Sequence, residues 1–192
     1  TGFCFLFAPA YHPGMRHAAL VRRQLEVRTV MNLLGPCINP AHPPVQLLGV
    51  ADPKMLRRVA QTLAAMGVRE ALVVHGSGLD EVALHGPTRA IRLAGDEIEE
   101  IEITPEQAGL ERAPLKVVTG GDVDENAARL KALFEGRGAG AEEDIVILNT
   151  AALLHTAGLA GGLKEGADLA RDALASGGAA KVLAQYVEAS RA

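Results

Sequence analysis

Two short apolar runs on either side of a helix-like stretch constrain this chain most. Val45–Val50, and Ala71-Leu72-Val73-Val74 within Arg69–His75, are brief and nearly unbroken, as strands covered on both faces are. Between them, Pro53 suits the first turn of a helix that reaches Met66 and closes at Gly67. Strand, helix, strand over this length predicts a right-handed crossover between two parallel strands. The expected class is therefore α/β, with a mixed, largely parallel central sheet flanked by helices.

The rest of the chain reads around that unit. Residues 88–94 and 97–103 alternate apolar and polar side chains about Gly95-Asp96, the composition of a hairpin turn. Residues 122–135 and 144–158 read as helices. Ile145, Val146, Leu148, Leu153 and Leu154 leave the second largely apolar all round, and so buried. Two further helices, 162–175 and 178–189, are separated by Ser176-Gly177-Gly178. Toward the other end, residues 3–7 form an apolar run that predicts a strand, stopped at Ala8-Pro9 and opening into a turn with His12-Pro13. Arg16, Leu20, Val21, Leu25, Val30 and Leu33 recur with a helical stagger interrupted near Val27-Arg28, which predicts two short helices over 14–34. Gly35-Pro36 stops them, and Pro40, Pro43 and Pro44 make an irregular link.

Composition limits the function classes. With 192 residues, 48% apolar and 22% charged, and a formal net charge of −4, the chain has a soluble, globular balance without the basic field of a general nucleic-acid binder. Aromatic content of 3% with no Trp argues against stacked-base recognition. Positive charge is local: Arg16, Arg22, Arg23 and Arg28 lie close together. Cys4 and Cys37 are too few for a disulfide framework and have no metal-type spacing, so they read as structural thiols in a reducing, cytoplasmic compartment. No run reaches a membrane span, and the opening stretch has no charged leader.

Asp80-Glu81 is the sharpest electrostatic feature. It follows an apolar strand and the loop Gly76-Ser77-Gly78, at the strand ends where α/β proteins bind ligands. Adjacent carboxylates there can face one hard cation, or simply form an acidic loop or helix cap. The loop lacks the third glycine of a dinucleotide fingerprint. Arg22 and Arg23, about 100° apart on a helix, cannot serve the same site. Either both face solvent, or one turns inward as a planar fork for a carboxylate or phosphate. His12 reads as a ligand donor or a satisfied structural histidine. The other histidines show no ligand grouping, so no zinc site is expected. Thr119-Gly120-Gly121-Asp122 could cradle an anion at a helix start, but Asp122 would cap that helix itself, with Asp124-Glu125 adding negative charge.

In this order the residues Phe7-Ala8-Pro9, His12-Pro13, Met15-Arg16-His17, Val21-Arg22-Arg23, Arg28-Thr29, Asn32-Leu33-Leu34-Gly35-Pro36, Asn39-Pro40, Gln46-Leu47-Leu48-Gly49-Val50, Val73-Val74-His75-Gly76 and Gly78-Leu79-Asp80-Glu81 resemble the C-terminal part of the anthranilate phosphoribosyltransferase family. Gly120-Gly121-Asp122, Glu125-Asn126-Ala127 and Leu148-Asn149 continue the likeness nearly to the end. The resemblance implies the nucleoside phosphorylase/phosphoribosyltransferase type of fold. Residues 1–13 would be a strand and turn of the α/β lobe, 14–40 a remnant of a small helical lobe, and 41–192 the bulk of the α/β lobe. It implies transfer of phosphoribose from phosphoribosyl pyrophosphate to anthranilate, the second step of tryptophan synthesis, with Mg2+ as cofactor and a homodimer for the complete protein.

By the same resemblance Arg22 holds the anthranilate carboxylate, Ala8, Pro9, His12, Met15, Gly35 and Pro36 line its path, and Asp80 and Glu81 hold magnesium. No residue is implied as an obligatory acid or base. The family's Gly-Thr-Gly-Gly-Asp phosphate loop, its Asn-x-Ser-Thr segment and its Lys-x-His-Gly-Asn segment are absent, which makes this chain an expected fragment, silent on its own. The alternatives are a pyrimidine nucleoside phosphorylase, which shares the fold type, and a non-catalytic nucleic-acid-binding paralogue.

Overall fold

The crossover predicted from Val45–His75 is present in the structure, a computed structural model that describes residues 1–12, 37–138 and 140–191. Strand β1 is Val45–Gly49 and β2 is Glu70–His75, paired in parallel with Leu47 opposite Leu72 and Gly49 opposite Val74. Between them Asp52 caps a short 3-10 turn at Pro53–Met55, and helix α2, Leu56–Ala65, follows. An earlier short helix, α1, spans Ala8–Tyr11.

Beyond β2 lie β3, Thr88–Ala94, and β4, Glu97–Ile103, giving a four-stranded sheet in the order β1-β2-β3-β4. The sheet is mixed: β1 and β2 are parallel, while β2–β3 and β3–β4 are antiparallel. The β3–β4 hairpin closes on Gly95-Asp96, with φ +59° at Gly95 and no positive φ at Asp96, as a type II′ turn requires. On β4, Glu97, Glu99, Glu100 and Glu102 stand among three isoleucines, and an acidic edge strand discourages further pairing. Arg89 reaches Glu100 at 2.9 Å, an exposed pair that contributes under about 1 kcal/mol.

Helices cover the sheet on both faces. Leu72 and Val74 of β2 join Ile147, Leu148, Ala151 and Ala152 of α5 (Ala141–Thr156), and Ala167 and Ala170 of α6 (Leu163–Ala175), in the main core. Ala71 and Val73 point the other way by strand alternation and are equally buried, beneath α2 with its buried Leu56, Val59, Ala60 and Leu63. Between β4 and α5 the chain adds two short helices, α3 (Leu115–Val118) and α4 (Val123–Ala132), and ends in α7 (Gly178–Ala189).

Contacts divide the chain into two units, Pro43–Lys181, which holds the sheet, and Thr1–His42 with Val182–Ala192. In the second unit the predicted strand over residues 3–7 does not form. These residues have no regular structure, and Phe3, Phe5 and Phe7 are 49–60% exposed. A strand exists only through its ladder, and this run makes none; Phe3 instead packs edge-on against Tyr186, ring centroids 5.1 Å apart. Cys4 is exposed and Cys37 buried. The two helices predicted over 14–34 lie outside the described residues.

Candidate functional site

His75 ends β2 and ties it to β1. With its proton on Nδ1, the ring donates to the Val50 carbonyl at 2.9 Å, and Nε2 accepts from the Gly78 amide at 3.3 Å. Gly76 and Leu79 then exchange both backbone hydrogen bonds, at 2.9 and 3.1 Å, around Ser77 at φ +50° and Gly78 at φ +105°. The left-handed backbone at Ser77 is costly for a non-glycine residue. It is held by its own hydroxyl, which donates to the Pro87 carbonyl at 2.7 Å, and by His85 Nε2, which lies 3.1 Å from its carbonyl. This tight turn carries the chain back over the strand ends and delivers Asp80 and Glu81.

Two glycines form the seat for that pair. A β-carbon on Gly49, the last residue of β1, would lie 1.5 Å from the Asp80 carbonyl oxygen; one on Gly76 would lie 2.2 Å from the Glu81 carbonyl oxygen. No side chain fits at either position, so the acidic turn rests directly on the carboxyl ends of the parallel pair. Downstream the chain dives into the core, where Val82, Ala83 and Leu84 are fully buried. Their backbone groups are met by side chains: the Ala83 amide donates to Thr88 Oγ1 at 2.8 Å, and Asn149 of α5 grips Val82 through both its amide and its carbonyl, each at 2.9 Å.

Asp80 and Glu81 are both exposed at this turn. Partial desolvation pushes the Glu81 carboxyl above the ordinary carboxylate range, and the neighbouring Asp80 carboxylate pushes it further. Glu81 lines a cleft of about 800 Å³ together with Leu47, Leu79, Gly120, Asn149 and Leu153. Among the described residues no group of three or more His, Cys, Asp or Glu side chains converges, so a cation here would complete its shell with water or substrate oxygens.

The Thr119–Asp122 turn behaves as its composition predicts. Asp122 Oδ1 accepts from the Glu125 amide at 2.9 Å and caps α4, while Asn126 holds Gly121 through both backbone groups at 2.9 Å each. The Gly121 amide is thus already used. Of the predicted anthranilate set, Ala8 and Pro9 fall in α1 and His12 is half-buried, whereas Met15, Arg22, Gly35 and Pro36 lie outside the described residues. The residues that sequence reasoning passed over as site elements are Gly49, Gly76 and Asn149. A glycine closing one strand and another following the next strand, and a lone amide amid the apolar stretch 145–154, were the signals available.

A parallel strand pair that ends in a glycine-seated acidic turn beside a cleft is the arrangement of an α/β domain, whose ligand sites characteristically lie at the strand ends. A family profile described as "Glycosyl transferase family, a/b domain" matches residues 1–180, and the chain belongs to that family. It is 54% identical over 191 residues to an anthranilate phosphoribosyltransferase of Sorangium cellulosum, covering 100% of this chain and 55% of that protein. The crystal structure of anthranilate phosphoribosyltransferase from Thermus thermophilus superposes with a TM-score of 0.93 at 46% identity, over 100% of this chain and 56% of that one. Anthranilate phosphoribosyltransferase from Saccharomyces cerevisiae in complex with PRPP and Mg has a TM-score of 0.89 at 30% identity, over 97% and 54%. The resemblance read from the ordered motifs is borne out. The chain spans about half the length of the relatives it matches.

Proposed function

We propose that this chain supplies the anthranilate side and the metal-holding carboxylates of an anthranilate phosphoribosyltransferase, which transfers phosphoribose from phosphoribosyl pyrophosphate to the amine of anthranilate and releases pyrophosphate. The observation that carries this reading is the Asp80-Glu81 turn, seated on Gly49 and Gly76 and facing a cleft, in a chain so similar to enzymes of that name. The residues fit magnesium. Adjacent hard oxygens stand at the strand ends, and the Glu81 carboxylate is disfavoured by desolvation and by Asp80, a penalty that a divalent cation removes. When bound, the ion would offset the charge of the diphosphate leaving group.

The remaining roles belong to side chains. Arg22 presents a planar fork to the anthranilate carboxylate and so aims the amine, with Ala8, Pro9, His12, Met15, Gly35 and Pro36 forming the walls of its path. The aryl amine is neutral and nucleophilic at pH 7, so orientation supplies much of the rate and no side chain is assigned as acid or base. In this reading residues 14–40 belong to a small helical lobe, the complete protein is a cytoplasmic homodimer, and nucleic acid has no part. Among the described residues no helix is long and apolar enough to cross a membrane.

The test is the full-length protein assayed for anthranilate consumption dependent on phosphoribosyl pyrophosphate and magnesium, beside Arg22→Ala. That substitution is expected to raise KM for anthranilate far more than KM for the sugar donor. Unchanged anthranilate saturation would remove Arg22 from its role, and phosphorolysis of pyrimidine nucleosides in place of transfer would overturn the assignment.

A further inference from the structure

The peptide linking Glu81 to Val82 is packed at its carbonyl end and hydrogen-bonded at its amide end. Its carbonyl, that of Glu81, rests over Gly76, where a β-carbon would come within 2.2 Å. Its amide, that of Val82, donates to Asn149 Oδ1 at 2.9 Å. Asn149 Nδ2 donates in turn to the Val82 carbonyl and to the Ile145 carbonyl one turn earlier on α5, each at 2.9 Å. The side chain is therefore locked to its own helix while it grips a loop 67 residues away in sequence. Asn149 and Glu81 line the same cleft.

We infer that Asn149 is a positioning residue for the acidic pair: by clamping Val82 it sets the direction in which Glu81 leaves the backbone relative to Asp80, and so fixes the spacing of the two carboxylates that receive a divalent cation. This rests on the metal reading of Asp80-Glu81 given above. The physical reason is local. Glu81 is exposed, and among the described residues no ion pair holds its carboxylate, so its aim depends on the backbone on either side. Upstream the Gly76–Leu79 turn fixes Asp80; downstream the buried Val82 backbone and its Asn149 clamp fix Glu81. Two carboxylates bind one cation well only when their oxygens are already placed, because the mutual repulsion of the pair otherwise drives them apart.

Mn2+ binding followed by electron paramagnetic resonance, on the full-length protein without substrates, tests this. Asn149→Leu is expected to weaken Mn2+ binding by roughly 10–100-fold, the usual effect of losing an outer partner of a metal ligand. In the assay it should raise the magnesium requirement while leaving KM for anthranilate within about twofold, a split that general loosening of the fold would not give. Leu63→Ala, a truncation under the opposite face of the sheet, serves as the destabilised control and should bind Mn2+ as the wild type does. Asp80→Asn combined with Glu81→Gln identifies which idea fails. If that pair binds Mn2+ normally, the metal reading itself is wrong. If the pair loses binding but Asn149→Leu keeps wild-type affinity, the positioning role is overturned. Should Asn149→Leu show no cooperative melt, Asn149→Ser is read in its place by the same criterion.

Discussion

The carbonyl oxygen of Asp80 occupies the space a side chain on Gly49 would need, 1.5 Å from the position of its β-carbon. The contact is with backbone, which cannot swing aside as a flexible side chain would. The end of β1 and the acidic turn are therefore a single packed unit, and a change in the strand must be felt at the carboxylates.

Gly49→Ala should accordingly act at both levels. Overpacking of this kind costs about 1–3 kcal/mol, read as a lower urea midpoint. The turn can relieve the clash only by lifting away from the strand, so divalent-cation affinity should fall as well. A variant as stable as the wild type with unchanged cation binding would show that the seat is not needed.

The proposed cation role of Glu81 sets its function against stability. Its carboxyl lies above the ordinary range through desolvation and the Asp80 charge, so its protonated form is favoured more in the folded than in the unfolded chain. That contribution is full below the unfolded-state value and is lost as pH rises through the folded-state value. In cation-free protein Glu81→Gln should therefore melt slightly higher than wild type at neutral pH, with the advantage shrinking as the solution is made acidic, while its cation affinity collapses. Thermal melts with chelator across that pH range check the first statement, and a cation titration checks the second. A lower melting temperature at neutral pH would contradict this account.

Asp122 should behave in the opposite way. It caps α4 and nothing more, so Asp122→Ala is expected to cost about 1 kcal/mol in chemical denaturation and to leave cation binding untouched. A loss of cation affinity here would make the Asp122 carboxylate part of the cation site.

The sequence displayed those features whose causes are local. The 88–94 and 97–103 alternation with Gly95-Asp96 between, Pro53 opening and Gly67 closing the crossover helix, and Asp122 ahead of α4 all depend on neighbours a few residues away, and each element stands where its pattern put it. The run at 3–7 shows the limit of that reasoning. Apolar residues state that a segment needs cover, but a strand needs a partner edge, and no local pattern records whether one is present. The acidic pair was legible as chemistry, whereas its support was not. Gly49, Gly76 and Asn149 matter through contacts with residues 80–82 that are distant in sequence, and only the folded chain brings them together. Arg22, the other half of the expected site, lies outside the described residues.

A last prediction concerns the segment that follows β4. Thr104 and Gln107 form a capping box around the 3-10 turn Pro105–Ala108, and Arg112 reaches back to Glu106 at 2.7 Å. Hydrogen bonding from Arg112 is the main reason that the Glu106 carboxyl is lowered to about 2. A depressed carboxyl contributes stability that is present above its unfolded-state value and lost as pH falls through the folded-state value. The wild type should therefore lose stability from Glu106 as pH drops from the ordinary glutamate range of about 4.3 toward 2, and Glu106→Gln should flatten that part of the profile. Because both side chains are largely solvated the effect will be small and weakened by salt. Urea melts of the two proteins at low ionic strength, compared at pH 5.5 and 3, provide the measurement. Parallel pH profiles for the two would mean that the Arg112–Glu106 contact contributes nothing in solution.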